Sequence, residues 1–340
     1  SNFASLTKDH QAIDNVYKIS AGKLRRYHGD SWIKRIFDIN SNIKNIRDMF
    51  KVIIGVIQAW LILGKVKPDV VFLKGGFVGV PIGLAAAFRR IPIVTHDSDA
   101  MPGLANRLVS RWAKAHATAL DAKYYKYPKD KIYPVGVLVE QNYQPVNDIE
   151  QAKLKQSLGI NPKKLVLLIT GGSSGAERIN IAIVKIINKI LDKHPDLFVI
   201  HQVGKGKTNV YNNFTHNRLK VLEFMYPMYT YTGAADLIIT RAGANAIAEF
   251  GTQGKACIVI PNPDLTGGHQ THNAELLAQQ GSALVLTEEY LSKNNNALEN
   301  AIELLLNDEV KRRELANKLQ SNTIKNAGKK LAKLLLNQMK

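Results

Sequence analysis

A chain of 340 residues is long for one hydrophobic core and points to two domains, while 45% apolar residues with 24 glycines exclude a disordered or fibrous chain. One cysteine, Cys257, excludes an intramolecular disulfide, and in the apolar run KACIVIP it reads as a small core residue that suits a reducing cytoplasm. The net charge of +18 suits phosphorylated ligands, an anionic membrane face or nucleic acid, but lysines spread without a long basic run suit a solvated surface equally well.

In chain order, the first 66 residues show the weakest pattern. IDNVYKIS, from Ile13, reads as a strand. Ile43 to Val66 reads as a helix with an apolar stripe of Ile43, Ile46, Phe50, Ile53, Ile54, Ile57, Trp60 and Leu61, expected to pack on a sheet. Its most apolar run, Val52 to Gly64, falls short of the roughly 20 residues that span a bilayer. No secretory signal is visible.

From Pro68, short apolar runs alternate with helical patterns. PDVVFLKGG, IPIVTHDS, AHATAL and KIYPVGV read as strands, with VPIGLAAAFRR and GLANRLVSRWA as helices between them. A polar stretch, QNYQPVNDIEQ, reads as a linker. The alternation then restarts with strands KKLVLLIT, LFVIHQV, LKVLEF, ADLIIT, ACIVIP and SALVLT. Helices are expected near 176–192, 226–233, 243–253, 270–280, 297–320 and 323–338. Unbroken apolar strands alternating with helices imply parallel sheets covered on both faces. The expected fold is α/β, with two doubly wound domains facing across a cleft that would hold ligand at the strand carboxyl ends. The expected boundaries are 1–137, a linker over 138–161, 162–322, and a last helix over 323–340 that could return to the first domain.

Five loops carry candidate chemistry. In LLITGGSSGAERIN, Gly171, Gly172, Ser173, Ser174 and Gly175 join a strand to a helix N-terminus, where bare backbone N–H groups and the helix dipole favour phosphate. The pattern is neither G-x-G-x-x-G nor a P-loop, and a tight turn that needs glycine explains it equally. KGGFVGVP repeats the design in the first half, with Gly75, Gly76 and Gly79. In TRAGANAIAEF, Ala242, Gly243 and Ala244 open a helix; Arg241 could meet a diphosphate and Glu249 could accept from a ribose diol, or sit there as a surface carboxylate. In PNPDLTGGHQTHNAELL, Asp264, His269, Gln270 and Asn273 cluster. His269 and His272 lack a clear third metal ligand, so sugar hydroxyls suit this loop better than a metal. THDSDAMPGLANR places His96, Asp97 and Asp99 at a strand end, with Asn106 and Arg107 in the next helix, and makes His96 and Asp97 candidate catalytic groups.

Together and in this order, the blocks KPDVVFLKGGFVGVP, IPIVTHDSDAMPGLANR, LLITGGSSGAERIN, HQVGKG, ADLIITRAGANAIAEF and GGHQTHNAELLAQQGSALVL resemble the MurG family of UDP-N-acetylglucosamine:undecaprenyl-pyrophosphoryl-muramoyl-pentapeptide N-acetylglucosaminyltransferases. The resemblance runs from about Ile13 to the C-terminal helices. It implies a GT-B fold and an inverting, metal-independent transfer of GlcNAc from UDP-GlcNAc to lipid I, with no cofactor, at the cytoplasmic face of an anionic membrane. By position, Ser173 would touch the donor diphosphate and Met225 would lie near the uracil through its backbone. Arg241 and Ala244 would follow the nucleotide, Glu249 would hold the ribose, and His269 with Gln270 would read GlcNAc. Gly75, Gly76, Asp99 and Asn106 would belong to the acceptor side.

Three departures stand out. The family opens with a strand and a G-G-T-G-G-H loop bearing the histidine often given a catalytic role, and this chain shows neither. Beginning at Ser1, it is expected to be truncated and to need that loop for transfer. The usual Asn-Pro-x-Arg is Val137, Leu138, Val139 and Glu140, and the usual Glu-Gln-Asn is Asp97, Ser98 and Asp99. Other readings are a different GT-B sugar enzyme, such as a glycolipid synthase or a UDP-GlcNAc epimerase, and a basic nucleic-acid binder. The last would need basic residues interleaved with aromatics on one face, and only AGKLRRYHGDSWIKR, Ala21 to Arg35, comes close. In the family that segment lies on the acceptor side, where it would meet lipid phosphate or membrane.

Overall fold

The computed structural model describes residues 13–22, 39–172, 175–212, 214–265 and 267–339, with side chains in the first helix described from residue 45. Ser173, Ser174 and most of the Ala21–Arg35 segment therefore lie outside the described residues, as does the side chain of Ile43. The chain divides into two compact units. One comprises Ser1–Asp97, Pro102–Pro134 and Lys330–Lys340; the other comprises Ser98–Met101 and Val135–Lys329.

The first unit contains α1 (Ile39–Val66), β1 (Val71–Leu73), α2 (Gly79–Phe88), β2 (Ile93–Asp97), α3 (Leu104–Val109), β3 (Ala115–Thr118) and β4 (Ile132–Pro134). Its strands form a parallel sheet in the order β1-β2-β3-β4, in register through Val71–Ile93, Val94–Ala115 and His116–Ile132. Val71, Leu73, Ala86, Ile91, Ile93, Val109 and Ala113 form its core. Small residues let α2 close on that core: a Cβ at Gly83 would lie 2.6 Å from Val109 Cγ1.

Two expectations for the N-terminal region fail. Residues 13–22 form no strand; they run beside α1, where Ser20 N–H donates to Gln58 Oε1 at 2.7 Å. Nor does the apolar stripe of α1 pack on a sheet: Ile46, Phe50, Ile53, Ile54, Ile57, Trp60 and Leu61 are 44–59% exposed. The inward face instead holds Asp48, Gly55 and Ala59, at spacings that keep one side of a helix. Close approach explains the choice, since a Cβ at Gly55 would lie 1.9 Å from Ser20 O and 3.2 Å from Pro81 Cβ. Bulky side chains cannot occupy that contact, so they face outward. Counted over the whole helix, Asn45–Val66 is long and apolar enough to cross a membrane, which the shorter run Val52 to Gly64 did not suggest.

In the second unit, α4 (Asp148–Ser157) starts at a capping box in which Asn147 and Glu150 satisfy each other's backbone N–H. Then follow β5 (Leu165–Thr170), α5 (Glu177–Lys193), β6 (Leu197–Gln202), β7 (Leu219–Leu222), α6 (Met228–Ala234), β8 (Leu237–Thr240), α7 (Ala244–Gln253), β9 (Ala256–Val259), α8 (His269–Gln279) and β10 (Leu284–Val285). Four helices close the chain: α9 (Glu288–Lys293), α10 (Ala297–Asn307), α11 (Glu309–Asn322) and α12 (Ala327–Gln338). The expected helix over 297–320 breaks at Asp308, whose side chain caps α11 by accepting from Lys311 N–H. The short α9 was not anticipated.

Six parallel strands take the order β10-β9-β8-β5-β6-β7. Alternation along β5 serves both faces. Leu167 and Ile169 meet Ile179, Ile183, Ile187 and Ile190 of α5, whereas Val166 and Leu168 join Ile238, Phe250 and Cys257. Strand order reverses beside β5, since β6 lies on one side and β8 on the other. The carboxyl ends of β5 and β8 therefore flank a topological switch point, where doubly wound sheets take ligand.

Candidate active site

At the end of β5 the backbone turns sharply through glycines. Gly172 and Gly175 adopt φ of 83° and 69°, which side chains other than glycine's rarely allow. Gly171 has no room for a side chain, since a Cβ there would lie 2.3 Å from Ala176. Gly175 N–H donates to Gly172 O at 2.9 Å and closes the turn at the start of α5. The N-terminus of a 17-residue helix is thereby presented at the switch point.

Across the switch, β8 ends at Thr240 and α7 opens at Ala244, with Gly243 as an N-cap that makes no side-chain cap bond. Ala242 O accepts from Asn273 Nδ2 at 3.0 Å, which fixes this turn against α8. Glu249 lies half-buried in the second turn of α7, where the Tyr143 hydroxyl donates to it. Tyr143 is itself buried and packs edge-on to Tyr229, with ring centroids 6.1 Å apart. Burial first, and then the Glu249 charge, push the Tyr143 phenol well above its usual range. It therefore stays a neutral donor. Sequence reading missed Tyr143, which sits over a hundred residues before Glu249 in a stretch that reads only as linker.

Arg241, the candidate for a diphosphate contact, is engaged within the protein. Its Nη1 donates to Ile260 O at 3.2 Å, to Pro261 O at 3.3 Å and to Glu288 Oε1 at 2.6 Å, and the residue is buried. Glu288 also pairs with Arg178, which reaches Asp264 at 2.8 Å. The pair ties the loop after β9 to the start of α9. Its partner lay 47 residues away in an element the sequence did not announce.

Gln270 Oε1 accepts from Asn262 N–H at 2.9 Å and bridges the ends of the loop before α8. His269 opens α8 beside Asp99, at 3.5 Å from Nδ1 to Oδ2. Asn273 takes Ala100 N–H at 2.9 Å and reaches Asp99 Oδ1 at 3.0 Å. The segment Ser98–Met101 belongs to the second unit, where Asp99 lies beside His269 and Asn273. Met225 is buried in the core and leaves only its backbone for a ligand. Among the described residues no group of three His, Cys, Asp or Glu side chains could hold a metal ion.

In the first unit, Gly75 and Gly76 take φ of 86° and 78° after β1, and a Cβ at Gly75 would lie 3.9 Å from Asn106 Nδ2. Asn106 donates to His96 O at 2.9 Å and to Asp97 Oδ1 at 2.8 Å. Asp97 also accepts from Gly103 N–H at 3.0 Å and from the Tyr127 hydroxyl at 2.9 Å. Burial raises the Asp97 carboxyl despite these donors. Three donors reach Asp97, so its carboxylate holds the turn that presents Gly75 and Asn106. His96 is equally buried, with its ring tilted against Phe72. Beneath them His116 stacks on Tyr127 at 3.8 Å and shares a 2.7 Å hydrogen bond with Thr95. Burial and then Lys131 push its imidazolium down to about 4.

Two parallel α/β units with glycine turns at strand carboxyl ends, one of them with a helix-borne carboxylate at a switch point, have the architecture of the GT-B class of sugar-nucleotide enzymes. The comparisons carry the description further. The Glycosyltransferase family 28 N-terminal domain matches residues 7–118 and the Glycosyltransferase family 28 C-terminal domain matches residues 166–334. The UDP-N-acetylglucosamine--N-acetylmuramyl-(pentapeptide) pyrophosphoryl-undecaprenol N-acetylglucosamine transferase 3 of Bacillus thuringiensis (strain Al Hakam) is 35% identical over 299 residues, spanning 84% of this chain and 79% of that one. The corresponding transferase of Legionella pneumophila (strain Paris) is 33% identical over 330 residues, or 94% and 82% of the two chains. The crystal structure of Acinetobacter baumannii MurG superposes with a TM-score of 0.70 at 26% identity, covering 98% of this chain and 88% of that one. The chain belongs to the MurG family of glycosyltransferase family 28.

Proposed function

We propose that this chain transfers GlcNAc from UDP-GlcNAc to lipid I, with inversion at the anomeric carbon, to give the lipid II of peptidoglycan synthesis. The observation that carries the reading is Glu249, held by Tyr143 inside α7 at the switch point of the second sheet. A carboxylate there repels phosphate but accepts from a ribose diol, so it sets the direction of the nucleotide. The diphosphate then lies toward the backbone N–H groups that open α5 and α7. As the sugar–phosphate bond breaks, negative charge grows on the UDP oxygens, and these N-termini stabilise it. No metal and no cofactor enter the reading. Arg241 contributes by shaping the loop after β9 through Glu288. His269 and Gln270, at the start of α8, read the GlcNAc hydroxyls. Gly75, Gly76 and Asn106 form the acceptor diphosphate turn, and Asp97 orients Asn106.

The same reading puts the chain on the cytoplasmic face of the membrane as a peripheral protein. The outward residues of α1 form a long apolar face, while its other face packs on the first unit. A helix held on one side by a folded domain lies on a bilayer rather than crossing it. The charge of +18 favours an anionic surface, and nucleic acid is not a partner in this reading.

Isothermal calorimetry tests the donor assignment. UDP is expected to bind the purified chain. Glu249→Ala is expected to weaken it by roughly 10- to 100-fold, because hydrogen bonds to a charged acceptor contribute about 1.5–3 kcal/mol. Folded chain that takes up no UDP would overturn the assignment.

A further inference from the structure

The adjacent residues His201 and Gln202, at the end of β6, point to opposite faces of the sheet; Gln202 runs by hydrogen bonds to the glycine turn after β5, and His201 runs to Val203 O, which abuts Gly175 of that turn. On one face, Asn180 Nδ2 donates to Val203 O at 2.9 Å, which leaves Asn180 Oδ1 as the acceptor facing His201 Nε2 at 3.0 Å. His201 therefore carries its proton on Nε2, and Nδ1 accepts from the Tyr211 hydroxyl at 2.7 Å. The result is a one-way chain, Tyr211 to His201 to Asn180 to Val203 O. Burial pushes the His201 imidazolium down to about 3, so the neutral tautomer persists at neutral pH. The chain ends at the wall of the turn: a Cβ at Gly175 would lie 2.0 Å from Val203 O.

On the other face, Gln202 Oε1 accepts from Thr170 Oγ1 at 2.8 Å, and Thr170 Oγ1 in turn accepts from Gly172 N–H at 3.2 Å. Gln202 thus fixes which way the Thr170 hydroxyl points and leaves its lone pair for the backbone of the turn. The side chains of both chains are buried, with Thr170, Asn180, His201 and Gln202 at 2% exposure or less.

We propose that His201 and Gln202 are positioning residues that clamp the turn from both faces of the sheet, Gln202 through Thr170 at Gly172 and His201 through Asn180 at Val203 O beside Gly175, and so hold the start of α5 in place for the donor diphosphate. The inference rests on the donor reading above. It explains why a buried His-Gln pair ends β6, two strand positions that apolar residues would otherwise fill.

Thr170→Val keeps shape and removes the hydroxyl, and Thr170→Ser restores it; Asn180→Asp keeps the acceptor for His201 and removes the donor to Val203 O. UDP affinity is measured by calorimetry and uridine affinity by ligand-observed NMR. Thr170→Val and Asn180→Asp are each expected to weaken UDP about tenfold, as for loss of one hydrogen bond, with uridine unchanged and with Thr170→Ser near the parent. The contrast between UDP and uridine separates a clamp on the phosphate turn from general loosening of the fold. Equal weakening of both ligands, or unchanged UDP affinity in both variants, would overturn the clamp while leaving the donor reading intact. A parent chain that fails to bind UDP would overturn the donor reading and the clamp with it.

Discussion

Burial of His201 makes the second unit sensitive to acid in a way that can be worked out from one residue. The folded imidazole takes a proton only near pH 3, whereas in the unfolded chain it does so near 6.5. Above 6.5 both states are neutral, and the contribution to stability is complete. As pH falls below 6.5 the unfolded state gains a proton that the folded state refuses, so stability drops until the folded value is reached. One pH unit corresponds to about 1.4 kcal/mol, so at pH 5 the loss is about 2 kcal/mol, or roughly 30-fold in the opening equilibrium. Geometry supports the sign: a second ring proton would point at the Tyr211 hydroxyl, which now donates to Nδ1. Hydrogen exchange of peptides from β5 and β6, corrected for the intrinsic pH dependence of exchange, measures this directly. Protection in the parent should fall about 30-fold further between pH 7 and pH 5 than in His201→Gln, which cannot titrate. Parallel losses in the two proteins would refute the argument.

Ile183→Ala, in the centre of the α5 face against β5, should destabilise the second unit by about 2–5 kcal/mol in urea unfolding, because a fully buried side chain leaves a cavity. Tyr143→Phe keeps the ring against Tyr229 and removes the donor to Glu249; calorimetry should show UDP binding weakened several-fold, consistent with loss of about 1 kcal/mol, with no change in melting beyond a few degrees. Ile54→Glu with Ile57→Glu, both on the outward face of α1, should leave the fold unchanged and reduce sedimentation with anionic vesicles by tenfold or more.

The sheet of the second unit was legible because its strands are buried on both faces and read as unbroken apolar runs, LVLLIT and ACIV among them. The glycine turns were legible for a different reason: Gly75, Gly76, Gly172 and Gly175 all need positive φ, and glycine is the residue that provides it. Periodicity failed on α1 because it finds an apolar face without saying what covers it. The tight contact at Gly55 and Ala59 turned the bulky stripe outward. Arg241 was read as a diphosphate contact and Asp97 as a candidate catalytic group, and nothing in the sequence signalled that Glu288 and the Gly103–Asn106–Tyr127 set engage them through contacts between distant segments. Tyr143 carried no signal, since a tyrosine in a polar stretch gains its role only when α7 brings Glu249 beside it.

Incubation of the purified chain, preceded by the family's N-terminal strand and G-G-T-G-G-H loop, with UDP-GlcNAc, radiolabelled in the sugar, and lipid I in detergent tests the central proposal most directly. Label is expected to pass to the lipid as one β-linked GlcNAc per acceptor, with release of UDP and loss of transfer in Glu249→Ala. Label that stays water-soluble as free or epimerised sugar while UDP-GlcNAc is consumed would contradict it.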